Sequence, residues 1–183
     1  MWFLLFLAVL GASVVIGVRR GQAMARKRRQ IHADARALKK AARGSGRLRA
    51  SPYEDEWDFL QYMGQFFKYK KHEWIFLGFS REGRIRQFWL NKGPDRSGVS
   101  SFLSLERALG LCTEDGYDRV LLGHNHPAGA LRPSRQDRVS LEHWGDRFAE
   151  AGVSLVEYVF VAGRWRRYGL SLGQRVRRLG KRA

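Results

Sequence analysis

Apolar positions change their period several times along the chain, and each change marks an element. Trp57, Leu60, Met63 and Phe67 recur at helical spacing, which predicts a helix over Trp57 to Tyr69. Two strand-like runs follow, Glu73 to Phe79 and Arg84 to Leu90, with Arg81-Glu82-Gly83 between them as a hairpin turn. Asn91 to Gly98 reads as a loop. Leu105, Leu109 and Cys112 fall on one side of an expected helix over Ser101 to Thr113. Arg119 to Leu122 is a short buried strand running into Gly123. A second helix is expected over Ser134 to Ala151, and Leu155 to Val161 with Arg164 to Leu170 form a closing hairpin. The sum is a mixed α/β domain, of the α+β type, with strands at both ends. No internal repeat is present.

The N-terminal pattern is different. Trp2 to Val18 is a run of 17 uncharged, mostly apolar residues. As a helix it is about 25 Å long, at the short end of what spans a bilayer. Arg19 and Arg20 close it, and Arg26 to Arg29 add four more bases. The expectation is one transmembrane helix over 1–20, a single-pass anchor with the following domain on the cytoplasmic side. A cleaved signal peptide, with Ala23-Met24-Ala25 as its site, and a buried helix are the alternatives. Gly21 to Arg43 is rich in Ala, Lys and Arg, and reads either as a basic helix along lipid headgroups or as a solvated stalk. Gly44-Ser45-Gly46 reads as a flexible break. The expected organisation is anchor 1–20, basic stalk 21–51, globular domain 52–172 and basic tail 173–183.

Charge sharpens this division. The formal net charge is +17. Arg19 to Arg49 holds 12 Lys/Arg and one acid, Asp34, and Arg164 onward holds eight Lys/Arg and no acid. The rest carries 14 bases against 16 acids. Bases beside an apolar segment and in a tail favour an anionic membrane surface over nucleic acid as partner. Cys112 is the sole cysteine, so no intramolecular disulfide forms, and its apolar neighbours mark it as a core thiol.

The chemistry is concentrated in Gly123-His124-Asn125-His126-Pro127-Ala128-Gly129-Ala130-Leu131-Arg132-Pro133-Ser134-Arg135-Gln136-Asp137. Histidines two apart on extended chain point to one side. Neutral imidazoles are good zinc ligands. Pro127 ends the strand, and Pro133-Ser134 is a good helix start. Asp137 then lies about one turn into the helix, where it can meet the two histidines. Three such ligands leave a fourth position open for water. Each piece has a plainer meaning: His-x-His as a turn feature, and Ser134 with Asp137 as a helix capping box.

Together they match His-x-His-x7-Ser-x2-Asp, and here the chain resembles the JAMM (JAB/MPN) metallopeptidases. The form His-Asn-His-Pro-Ala-Gly is most similar to their RadC-type branch. Gly152 to Val159 also resembles a RadC-type stretch, with Glu157-Tyr158 standing where that stretch has Asp-His. The resemblance covers about Glu73 to Leu172. It implies a JAB/MPN-like (cytidine-deaminase-like) fold, a mixed sheet flanked by helices, with one Zn2+ per chain on His124, His126 and Asp137. It also implies a distant glutamate that takes the proton of the attacking water, and Glu73 has the right placement. Its plainer meaning is a charged strand end; Glu54 and Glu56 are weaker candidates. Ser134 would donate to the developing oxyanion.

The activity so implied is hydrolysis of a peptide or isopeptide bond in a protein substrate, often a ubiquitin-like protein. Members of the family often pair, so a dimer is an open oligomeric state. The alternative is a RadC-like, DNA-associated binding protein whose metal site is structural or idle. His32, His72 and His143 read as ordinary polar positions, with a supporting role left open for His72. Arg164, Arg166 and Arg167 read as a solvated edge strand, with contact to an acidic substrate or lipid as the alternative.

Overall fold

The computed structural model describes residues 2–42, 46–94, 98–99 and 103–181, with the backbone alone over 2–14. Gly44 and Ser45 of the expected break, 95–97 of the expected loop, and Ser101 and Phe102 of the expected helix lie outside the described residues.

Five helices and six strands are described: α1 (Trp2–Ala41), β1 (Arg47–Ala50), α2 (Glu56–Phe67), β2 (Trp74–Arg81), β3 (Arg84–Lys92), α3 (Leu105–Asp115), β4 (Arg119–Asn125), α4 (Arg135–Glu150), β5 (Ser154–Val161), β6 (Arg164–Tyr168) and α5 (Leu172–Leu179). The strands form one mixed sheet in the order β1-β3-β2-β4-β5-β6. Only β4 and β5 are parallel. A parallel pair needs a crossover, and α4 supplies it. The mixed α/β architecture agrees with the apolar pattern.

Local chemistry explains the element ends. Asp55 and Ser104 cap α2 and α3 by accepting from Asp58 N at 3.0 Å and Arg107 N at 3.2 Å. Glu82 and Gly83 both take positive φ (53° and 74°), as a two-residue hairpin turn requires.

Each sheet face buries its own cluster. Phe59, Met63, Phe66 and Phe67 of α2 pack on Phe76, Phe88 and Phe160. On the other face Leu77, Phe79, Val120 and Leu155 meet Leu111 of α3 and Phe148 of α4. Strand alternation therefore decides which helices a side chain meets. Cys112 is buried in the second cluster, and burial pushes its thiol up to about 12, in keeping with a core residue.

The N-terminal expectation is corrected. Among the described residues, no helix is long and apolar enough to cross a membrane. The single-pass anchor over 1–20 is therefore withdrawn, and with it the membrane-anchored location. The physical reason lies in length and continuity. The uncharged run has 17 residues where a span needs about 20. The helix also continues without a break through Arg19 and Arg20 to Ala41.

Its second half is not a free stalk. Ile31, Ala35, Leu38 and Ala42 form a buried stripe within the α2 cluster. Lys27 pairs with Asp58, and Asp34 accepts from the Tyr53 hydroxyl at 2.6 Å. The chain beyond Ser171 also departs from the expected tail. It forms α5, whose Arg175 is buried against α4. A Cβ on Gly145 would strike that guanidinium, so the glycine opens the notch Arg175 fills. β1, which pairs with β3 at the sheet edge, was not anticipated either.

Candidate metal centre

Alternation along β4 builds the site. Val120 and Leu122 face α3 and α4, and His124 follows them on that side. Gly123 faces α2, where the Phe76 ring occupies the space a side chain would need. His126 lies one residue past β4, but its N–H still bonds to Phe160 O at 2.9 Å, so the extended path persists. The chain then turns through Pro127. Gly129 passes so close beneath His126 that an added Cβ would lie 2.8 Å from the histidine Cβ.

The third member comes from the start of α4. Ser134 is its N-cap, with Oγ accepting from Asp137 N at 3.1 Å and Asp137 Oδ2 accepting from Ser134 N at 2.6 Å. The capping box and the ligand role are thus not alternatives. The same Asp137 Oδ2 stands 3.4 Å from Nε2 of His124 and 3.4 Å from Nε2 of His126. The two Nε2 atoms are 2.9 Å apart. His124, His126 and Asp137 thus form a group able to hold a metal ion. Atoms about 2.0–2.1 Å from a tetrahedral zinc lie about 3.3 Å from one another, which this triangle approaches.

The ring orientations support the same role. His126 Nδ1 lies 3.1 Å from Ala130 O, placed to donate its proton there when Nε2 serves as a metal ligand. His124 Nδ1 faces Glu157 Oε1 at 3.7 Å. Such outer carboxylates and carbonyls orient metal-bound histidines. Burial works to raise the Asp137 pKa, but hydrogen bonds from His124 and His126 outweigh it and hold the carboxyl far below the ordinary range. The hydrogen bond to Asp137 raises His126 above its ordinary value, against burial.

The trio lines a cavity of about 370 Å³. Glu73 and Ser134 line it as well, so all five residues singled out from the sequence share one space. Glu73 is buried immediately before β2, and its charge reaches His126. Ile75, Leu122 and Trp144 give the cavity apolar walls. Glu54 and Glu56 are engaged elsewhere, with Arg84 and Arg86, and with Arg119 and Tyr158. His32 and His143 are exposed. Arg164, Arg166 and Arg167 are exposed on edge strand β6.

Two site residues were not anticipated. Glu157 lies on β5 opposite Leu122, is 1% exposed, and lines the same cavity. Burial pushes it up to about 7, against the opposing pull of His124. A charged residue amid Leu155, Val156, Tyr158, Val159 and Phe160 is the signal that marks it. Asn125 is the other; it binds the backbone on both sides of Glu73. No sequence signal gave its partners.

No family model matches the chain, and no curated protein matches it.

Proposed function

We propose that this chain is a zinc-dependent metallopeptidase or isopeptidase of the JAMM (JAB/MPN) type, with a JAB/MPN-like sheet. The supporting observation is convergence in one cavity: two histidines, Asp137 and a separate buried carboxylate, Glu73. A zinc ion held by the trio would supply Lewis acidity and bring the pKa of a water close to neutrality.

The chain's own groups do the rest. Glu73 takes the proton from the water that attacks the carbonyl carbon, and hands it to the leaving amine as the C–N bond breaks. Ser134 Oγ accepts from Asp137 N, which leaves its hydroxyl proton to donate to the carbonyl oxygen as negative charge develops there. By the family resemblance, the substrate is a protein joined through the C-terminus of a ubiquitin-like domain.

The test is metal analysis of the purified chain, with cleavage of a ubiquitin-like fusion by wild type and Glu73→Gln. Stoichiometric zinc and a loss on the order of 10²–10⁴-fold in the variant are expected. Absence of bound zinc, or equal cleavage by both proteins, overturns the proposal.

A second role, RadC-like binding of nucleic acid with an idle metal site, is favoured by one observation. Lys70 after α2, which sits over the Phe66 and Trp74 rings, has the positive charges of Lys39 of α1 and Lys92 of β3 in reach. Burial, with Lys39 and Lys92 nearby, lowers Lys70 to about 8. A DNA affinity that falls steeply with salt, and falls again with Lys39→Ala and Lys92→Ala together, would favour this role.

A further inference from the structure

We propose that Asn125 is the positioning residue for Glu73, a role that rests on the function proposed above for that carboxylate.

The ordinary β2–β4 ladder stops one residue short of Glu73's neighbourhood, at the pair Ile75 and His124. Beyond it the Asn125 carboxamide takes over. Its Oδ1 accepts from Trp74 N at 2.8 Å, and its Nδ2 donates to His72 O at 3.2 Å. These are the two bonds, one on each side of residue 73, that a neighbouring strand would otherwise make. Glu73's own carbonyl turns the opposite way and accepts from Gly93 N at 2.8 Å, beside β3. Residue 73 is therefore gripped from both sides while its side chain faces the cavity with the metal trio.

The carboxamide is suited to this position. It offers one acceptor and paired donors, as a peptide group does. Asn125 is 3% exposed, and Trp74 beside it is also buried. No water would replace lost bonds cheaply there. Asn125 also sits between the two histidine ligands. One residue thus joins the ligand-bearing strand to the segment bearing Glu73, 51 positions away in the chain for the bond to Trp74. Displacement of a reacting group by about 1 Å can cost on the order of 10²-fold in rate, so the link has catalytic weight.

The experiment uses the full zinc-loaded chain with Asn125→Ala, Glu73→Gln and the double variant, and Asn125→Ser should Asn125→Ala fail to fold. Three measurements are made: zinc affinity by chelator competition, hydrogen exchange at the Trp74 amide, and steady-state kinetics giving kcat and KM on a ubiquitin-like fusion. For the Asn125 variant, zinc affinity is expected to stay within about threefold and Trp74 exchange to rise at least tenfold. Its kcat is expected to fall about 10–100-fold with KM nearly constant. In the Glu73→Gln background the same change should cost less than twofold, because the group being positioned is gone.

A tenfold loss of zinc affinity, unchanged Trp74 exchange, or an undiminished kcat loss in the Glu73→Gln background overturns the role of Asn125. Failure of the wild type to cleave, or full activity of Glu73→Gln, overturns the proposed function instead. In that event zinc affinity and Trp74 exchange alone decide whether Asn125 holds this segment.

Discussion

Glu157 Oε1 lies 3.7 Å from Nδ1 of His124, behind the ring whose Nε2 faces His126 and Asp137. The carboxylate touches no other member of the trio among the described contacts. Its nearest partner in the trio is His124, where a carboxylate favours Nδ1–H outward and frees Nε2 for a metal, and its charge also reaches Asp137 and His126. Replacing Glu157 by Gln is expected to lower zinc affinity about 10–100-fold, with all three ligands still in place. Competition against a chromophoric chelator measures this, and an affinity equal to wild type would falsify the assignment.

The same residue sets a sign for stability against pH in the metal-free protein. Glu157's pKa is raised from an ordinary 4.5 to about 7 by burial. The folded chain keeps a proton there that the unfolded chain loses, so stability falls as pH rises across that window, by on the order of 3 kcal/mol at most. His126, whose pKa is raised by Asp137, acts in the same direction: its contribution is complete below 6.5 and is lost as pH climbs through the raised value. Asp137, held far below its ordinary value, loses its contribution only in strong acid. Urea midpoints in chelator should therefore drop between pH 5 and pH 8, and less steeply in Glu157→Gln. Zinc affinity should run the other way, rising with pH, because both imidazoles must be neutral to bind.

Ser134 caps α4, and in the proposed mechanism it also donates to the oxyanion. Removing its hydroxyl in Ser134→Ala deletes the N-cap bond to Asp137 N and should cost about 1 kcal/mol of stability. Loss of the oxyanion donor should lower kcat by on the order of 10²–10³-fold. Ser134→Asn, which can still cap, separates the two: denaturation should return near wild type while kcat stays low. Recovery of both together would show that capping alone accounts for the residue.

Gly145 and Arg175 predict how the C-terminal helix is held. An added methyl at Gly145 meets the Arg175 guanidinium, which is 2% exposed and paired with Asp146 at 3.3 Å. Gly145→Ala should destabilise by about 1–3 kcal/mol and make the chain after Tyr168 more sensitive to protease. Trimming Arg175 to Ala in the same chain should relieve part of that cost. An unchanged urea midpoint for Gly145→Ala would show that α5 does not depend on the notch.

The convergence of His124, His126 and Asp137 was legible in the sequence because its geometry is local. A two-residue step on extended chain puts His124 and His126 on one side, and a capped helix start places Asp137 within its first turn. The strands β2 to β6 and the helices α2 to α4 followed from periodicity for the same reason. Glu73 was found through resemblance and placement, and its arrival in the cavity depends on the β2–β4 pairing.

Tertiary structure decided the rest. Trp2 to Val18 matched a span by composition, yet the helix runs on and docks through Ile31, Ala35 and Leu38, whose partners on α2 lie in a different part of the chain. Asn125 and Glu157 gained their roles from cross-strand neighbours at His72, Trp74 and His124. Periodicity tells which way a side chain points from its own backbone. Which residue of another strand stands there depends on strand order and register, and those are set by packing of the whole sheet.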